Sequence, residues 1–190
     1  MAVSKSEAAG ALRDIEQAQN RVGEMRGYRM AGPYLIGWGL IWAIGYVLMA
    51  LRPMSEWGLI WLPLDLIGIG VSILAGIRGN RMLPATGPRT NATTWRVIFG
   101  VLFIAAYIAA TYMLFAPHDV RPYLLYPGMV VGAIYVMMGL ACLPRLGWIG
   151  AAIFLLTVAG LFIPRDFLLY WMAAVGGGGL MLSGVWLRTA

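Results

Sequence analysis

The sequence predicts an all-α membrane protein: six transmembrane helices, arranged as three parallel helical-hairpin repeats, behind an amphipathic cytoplasmic helix. Three observations carry this. Long apolar stretches fill the chain from Tyr34 to Leu187. Hydrophobic residues make up 61% and charged residues only 12%, whereas a soluble domain carries roughly a quarter charged. The basic residues also fall on alternate connections, as they do in a membrane protein sorted by the positive-inside rule.

The first element covers residues 5–27. Ala8, Ile15 and Val22 recur every seven residues, as do Ala11, Ala18 and Met25. That is the a/d pattern of a helix seeking a partner helix. The other faces mix Glu7, Arg13, Asp14, Glu16, Arg21, Glu24 and Arg26. Mixed charge argues against a strongly basic lipid-binding helix. Ser4 or Ser6 would cap its start, and Gly32-Pro33 would break it from the first span. Ile15, Val22 and Met25 are the candidate docking residues, toward another subunit, a cytoplasmic partner or the bundle itself. The expected division is 1–30 for the amphipathic helix and 31–190 for the transmembrane domain.

The spans are expected at about 34–51, 57–77, 96–115, 123–142, 147–163 and 167–187. Each is near the roughly 20 residues that a bilayer requires, and six use about 120 residues, leaving no room for a soluble domain of ordinary size. Lys5, Arg13, Arg21, Arg26, Arg29, Arg78, Arg81, Arg89, Arg96, Arg145 and Arg188 fall on one side. Of the 14 basic residues, only Arg52, Arg121 and Arg165 fall on the other. Both termini are therefore expected in the cytoplasm. The first 30 residues lack the apolar core of a cleavable signal, so the first span is expected to serve as the insertion signal. The charge excess belongs to this topology, and no nucleic-acid partner is expected. The expected surroundings are the lipid bilayer, and the expected partners are further copies of the chain or another membrane complex.

The second half of each hairpin ends alike, as GIGVSILAGIR, VVGAIYVMMGLACLPR and VGGGGLMLSGVWLR. The outer loops LRPMSEW, APHDVRPYLLYP and IPRDFLLYW each hold a proline, an acid and an arginine. Self-similarity at this spacing points to a repeated two-span unit, although outer loops also drift toward these residue types unaided. The matching pairs are Arg52 with Glu56, Asp119 with Arg121, and Arg165 with Asp166.

Small residues at every fourth position let helices approach closely in lipid, where dispersion replaces hydrophobic drive. Gly68, Ser72 and Gly76 do this in span two, and Gly128 and Gly132 in span four. In span six, Ala174 pairs with Gly178, and Gly179 with Ser183. The even-numbered spans are thus expected inside the bundle. The Gly176–Gly179 run has a second reading, as a flexible point or a cavity wall.

Asp65 is the one acid within a span, about 12 Å along the helix from Trp57. A charge near the bilayer centre costs about 2.5–3.5 kcal/mol on insertion scales. Such an acid is kept when it is paired, protonated or wet. Tyr46, Thr157 and Ser183 are candidate hydrogen-bond partners, and with Asp65 they form the candidate polar site. It reads either as a proton- or cation-handling site or as a helix lock.

One cysteine and one histidine exclude a disulfide within the chain and a His-rich metal cluster. His118, beside Asp119, reads as a solvated loop residue or as a sensor of protons or metal. Asn91-Ala92-Thr93 matches a glycosylation acceptor but falls on the expected cytoplasmic side. No nucleophile elbow, zinc-protease helix or phosphate loop is present, so no catalytic residue, metal or cofactor is expected. The chain reads as a non-enzymatic accessory, assembly or interaction subunit. The alternative is a small transporter or channel using Asp65.

The charged lead, the aromatic first span PYLIGWGLIWAIGY and the further hairpins resemble small uncharacterised bacterial inner-membrane proteins. In outline the layout is similar to a six-span bacterial acid-resistance membrane family. The resemblance covers about 155 residues of layout and no functional motif. It implies a bacterial inner membrane and assigns no residue a role.

Overall fold

A computed structural model describes the backbone of residues 5–82, 91–116 and 118–189. Ser4 and Arg89 lie outside the described residues, as do the side chains of Ser6, Glu7, Ala8, Arg78, Arg81, Asn91, Thr93, Trp95 and Arg96.

Among the described residues every regular element is helical. The order is α1 (Lys5–Leu51), α2 (Trp57–Met82), α3 (Asn91–Phe115), α4 (Arg121–Ala141), α5 (Pro144–Ala159), α6 (Arg165–Met172) and α7 (Gly179–Arg188). A π-helical stretch, Ala173–Gly178, joins α6 to α7. Short 3₁₀ turns lie at Met54–Glu56 and Gly160–Phe162. Among the described residues five helical segments are long and apolar enough to cross a bilayer, and a shorter apolar stretch, Leu102–Phe115, lies within α3.

Pro33 does not break the first helix, which runs unbroken through it from Lys5 to Leu51. A proline inside a helix removes one backbone bond, here to the Arg29 carbonyl. The turns on both sides of that point are packed. Tyr28 and Leu35 are buried, and Gly32 lies against Gly184 and Arg188 of α7. Tertiary packing therefore carries the helix over the expected break. Below Tyr28 the arm leaves the bundle, and Leu12, Ile15, Val22 and Met25 are exposed.

Of the even-numbered spans expected inside, span six is buried and span four partly so, while span two is not; the odd-numbered spans one and five take its place. The buried side chains of the interior come mainly from α1, α5 and the α6–α7 unit, with Leu124 and Leu125 from α4. α2 lies on the outside and is held to α1 by one seam. The closest pairings are α4 with α5 and α1 with α7, which cross the boundaries of the three expected hairpins. α3 meets α4 mainly through tyrosines: Tyr112 donates to the Tyr123 carbonyl at 3.1 Å, and Thr111 and Tyr126 share a hydrogen bond at 3.2 Å. Matching loops are thus not accompanied by matching packing.

Two buried clusters fill the bundle. One holds Tyr28, Leu35, Leu146, Ile149, Ile153, Leu180 and Leu187. At its end Arg145 stacks between Tyr28 and Trp186, 5.6 and 5.5 Å from the ring centroids, and its backbone N–H donates to the Tyr28 hydroxyl at 3.2 Å. This fastens the base of the arm to α5 and α7. The other cluster holds Tyr46, Met49, Leu124, Leu125, Leu168, Met172 and Ala173.

Of the connections beside that second cluster, one is paired within itself and two are cross-linked to each other. Arg52 meets Glu56 at 3.7 Å, as expected. Arg165, however, binds Asp119 of the α3–α4 connection at 2.6 Å, not its neighbour Asp166. From Arg121, Asp119 receives the backbone N–H alone, while the Arg121 guanidinium donates to the carbonyls of Leu161 and Ile163. Arg165 first, and then the Arg121 N–H, hold the exposed Asp119 carboxyl below the ordinary carboxylate range. An arginine reaches a neighbouring loop more readily than it folds back on the adjacent residue, because adjacent side chains on a helix diverge.

Candidate functional site

Helical spacing builds the site. Trp42, Tyr46 and Met49 lie at i, i+4 and i+7 on α1, so they share one face. Trp61 and Asp65 lie four apart on α2, and Tyr123 and Pro127 four apart on α4. These three faces, with Leu124 and with Tyr112 of α3, line a half-open cavity of about 320 Å³.

The walls are aromatic and ordered. Tyr46 meets Trp42 and Trp61 edge to face, with centroids 6.0 and 5.5 Å apart. Tyr112 lies 4.7 Å from Tyr123 and 5.6 Å from Tyr126. Such pairs are preferred because a ring's positive edge meets a negative face. Gly176 of the π-helical stretch is what seats Trp42: a Cβ at that position would lie 2.8 Å from the indole.

The polar atoms of these walls are largely committed to protein partners. Tyr46 donates to the Leu124 carbonyl at 3.1 Å, and the Trp61 indole N–H to the Met49 sulfur at 3.0 Å. The Tyr112 bond has a covalent cause. Pro127 has no N–H to give the Tyr123 carbonyl four residues earlier, and the Tyr112 hydroxyl takes that carbonyl instead.

Asp65 differs from the rest of the wall. It is half-buried and is the only charged residue among the described residues lining the cavity. Among the described residues it makes no hydrogen bond and no ion pair, the nearest wall groups having other partners.

The structure brings together two of the four residues expected at the polar site. Asp65 and Tyr46 share the cavity without bonding to each other. Thr157 lies elsewhere, fully buried on α5 against Gly128, with its hydroxyl unpartnered. Ser183 donates to the Gly179 carbonyl of its own helix at 2.7 Å. Trp42, Trp61, Tyr112 and Tyr123 were not anticipated. The i, i+4 spacing of Trp42, Trp61 and Tyr123 with other wall residues is legible in the sequence, but that of Tyr112 is not, nor is which faces meet.

The small-residue positions divide in the same way. Gly68 packs on Trp38 and Ile41, Ser72 accepts the Trp38 indole N–H at 3.0 Å, and Gly76 lies by the Tyr34 hydroxyl. Gly128 and Gly132 pack on Thr157, Phe154 and Gly150 of α5. Gly178 and Gly179, expected in the span-six seam, face open space. Gly176, Gly177 and Gly184 make that contact with α1 instead. A π-helical turn bonds i to i+5, and this turns the following residues out of the every-fourth register.

His118 is exposed. Among the described residues no three His, Cys, Asp or Glu side chains come together as a metal site. No protein-family model, no curated protein and no solved structure matches this chain.

Proposed function

We propose that this chain is a non-enzymatic, multi-pass protein of the bacterial inner membrane, acting as a small transporter or channel for a proton, cation or small solute through Asp65. The observation that carries the reading is an unpaired carboxylate on the wall of a cavity, well inside an apolar helix. A structural lock would be bonded across helices, and this acid is not. The basic residues of the N-terminal arm and of Arg145 and Arg188 support a topology with both termini in the cytoplasm.

In sealed vesicles containing the purified protein, an imposed membrane potential should drive proton entry, read by an internal pH dye. Asp65→Asn should abolish that entry. Equal entry through both proteins would sink the assignment.

A second reading is an accessory or assembly subunit, and the exposed apolar face of the arm favours it. The continuous α1 joins Ile15, Val22 and Met25 to the first span as one rod. The charge register points to a different protein rather than a second copy. In a parallel pair, Arg21 at position g would face Arg26 at position e of its mate. Deleting residues 1–28 should then remove co-purifying proteins from mild-detergent extracts. An unchanged set would refute the docking role.

A further inference from the structure

We infer that the cavity binds an organic ammonium group, quaternary or alkylated, with Asp65 as its counter-ion and the surrounding rings as its cage. The inference rests on the Asp65 reading above and names its ligand.

The wall chemistry disfavours the other common ligand classes. Trp42, Tyr46 and Trp61 stand on one side of the cavity and Tyr112 and Tyr123 on another, with Asp65 among them. An anion finds one negative charge there and no cation. A hydrated divalent ion seeks six or more oxygens, or several retained waters. Here the carboxylate is the only anionic oxygen among the described lining residues, and neutral phenol hydroxyls such as those of Tyr46 and Tyr112 are weak ligands for a hard divalent ion.

An alkylated ammonium has the opposite requirements. Its charge is spread over apolar substituents, it gives up water readily, and it is attracted to the faces of Trp and Tyr. With their polar atoms engaged, Trp61 and Tyr112 offer a ligand aromatic rather than polar surface. A volume of about 320 Å³ lies at the small end of ligand cavities, which run from roughly 300 to 1,000 Å³. A carboxylate half-buried among aromatic side chains also holds a cation more strongly than it does in bulk water.

The same headgroup chemistry is present in a free quaternary cation and in a choline lipid, and the experiment separates them. The protein is placed in nanodiscs of phosphatidylglycerol and titrated calorimetrically with benzyltrimethylammonium. Neopentylbenzene, its uncharged carbon isostere, is titrated in parallel, and empty nanodiscs are subtracted. Saturable binding of the cation but not of the isostere is expected. Asp65→Asn and Trp61→Leu should each weaken it by at least about tenfold. Ser183→Ala, on α7 and bonded within its own helix, should bind as the parent does. Circular dichroism and gel filtration identify any variant that fails to fold.

If the cage takes lipid headgroups, nanodiscs of phosphatidylcholine will suppress the binding. If it takes free cations, the two lipids will give equal affinity. Absent binding in phosphatidylglycerol, equal binding of the isostere, or Asp65→Asn binding as the parent would each overturn the inference. Asp65-dependent binding without any flux would overturn transport and leave the cage standing. Asp65-dependent proton flux without ammonium binding would do the reverse.

Discussion

Replacing Gly177 with leucine is expected to unseat α1 from the π-helical stretch, lowering stability by at least about 3 kcal/mol, at or beyond the upper end of ordinary overpacking. A Cβ at Gly177 would lie 2.5 Å from the Ala43 backbone nitrogen and 2.7 Å from its Cα. Those are main-chain atoms of a neighbouring helix and cannot rotate away. Relief requires the two helices to separate along a contact that includes Gly39, Gly184 and the seat of Trp42. In lipid this contact rests on close packing, because tails solvate exposed apolar surface as well as another helix does. Gly178→Leu is the internal control. It sits one residue later in the same glycine run, yet nothing lies within 4 Å of its Cβ position. The measurement is thermal unfolding in detergent, followed by gel filtration. Gly178→Leu should behave as the parent or slightly better, since leucine favours helix over glycine. Equal damage from both substitutions would show that the glycines matter for flexibility rather than for contact.

Asp65→Leu is expected to stabilise the protein while abolishing the proposed proton entry. A central aspartate costs about 2.5–3.5 kcal/mol on insertion. Asp65 is half-exposed to a cavity, so the gain should be smaller, about 1–3 kcal/mol. No bond is lost in exchange, because the acid has no partner among the described residues. Had it locked two helices, its removal would leave a buried donor unpaired and cost about 1–3 kcal/mol. Insertion efficiency of the α2 segment and thermal unfolding of the whole protein both read the sign. A clear loss of stability would restore the lock and remove the basis for the cage.

Much of this architecture is legible in the residues. Helix-long apolar stretches with few charges can satisfy their backbone in lipid only as helices, and the class follows. The seams at Gly68, Ser72 and Gly76 and at Gly128 and Gly132 are legible too, because small residues four apart in a regular helix share a face. Asp65 stands out as the one acid in a span. Span six is where the reading slips. Its residues were counted at helical period, but Ala173–Gly178 is π-helical, so Gly178 and Gly179 turn outward and Gly177 and Gly184 turn in. The break expected at Pro33 is absent for a related reason. A single missing hydrogen bond is a local cost, and packing of Tyr28, Gly32 and Leu35 on distant helices offsets it.

What the sequence alone determined was the all-helical class with its bilayer-length apolar segments, two of its close-packed faces and the singular position of Asp65. These depend on short-range periodicity and on the cost of burying charge. What only the tertiary structure decided was the partner of each face. α1 closes on α7, α2 stays outside, Arg165 reaches across to Asp119, and rings from four helices gather around one carboxylate. Apolar helices in lipid have little hydrophobic preference among one another. Their pairing is therefore set by fine shape complementarity, which one-dimensional spacing does not record.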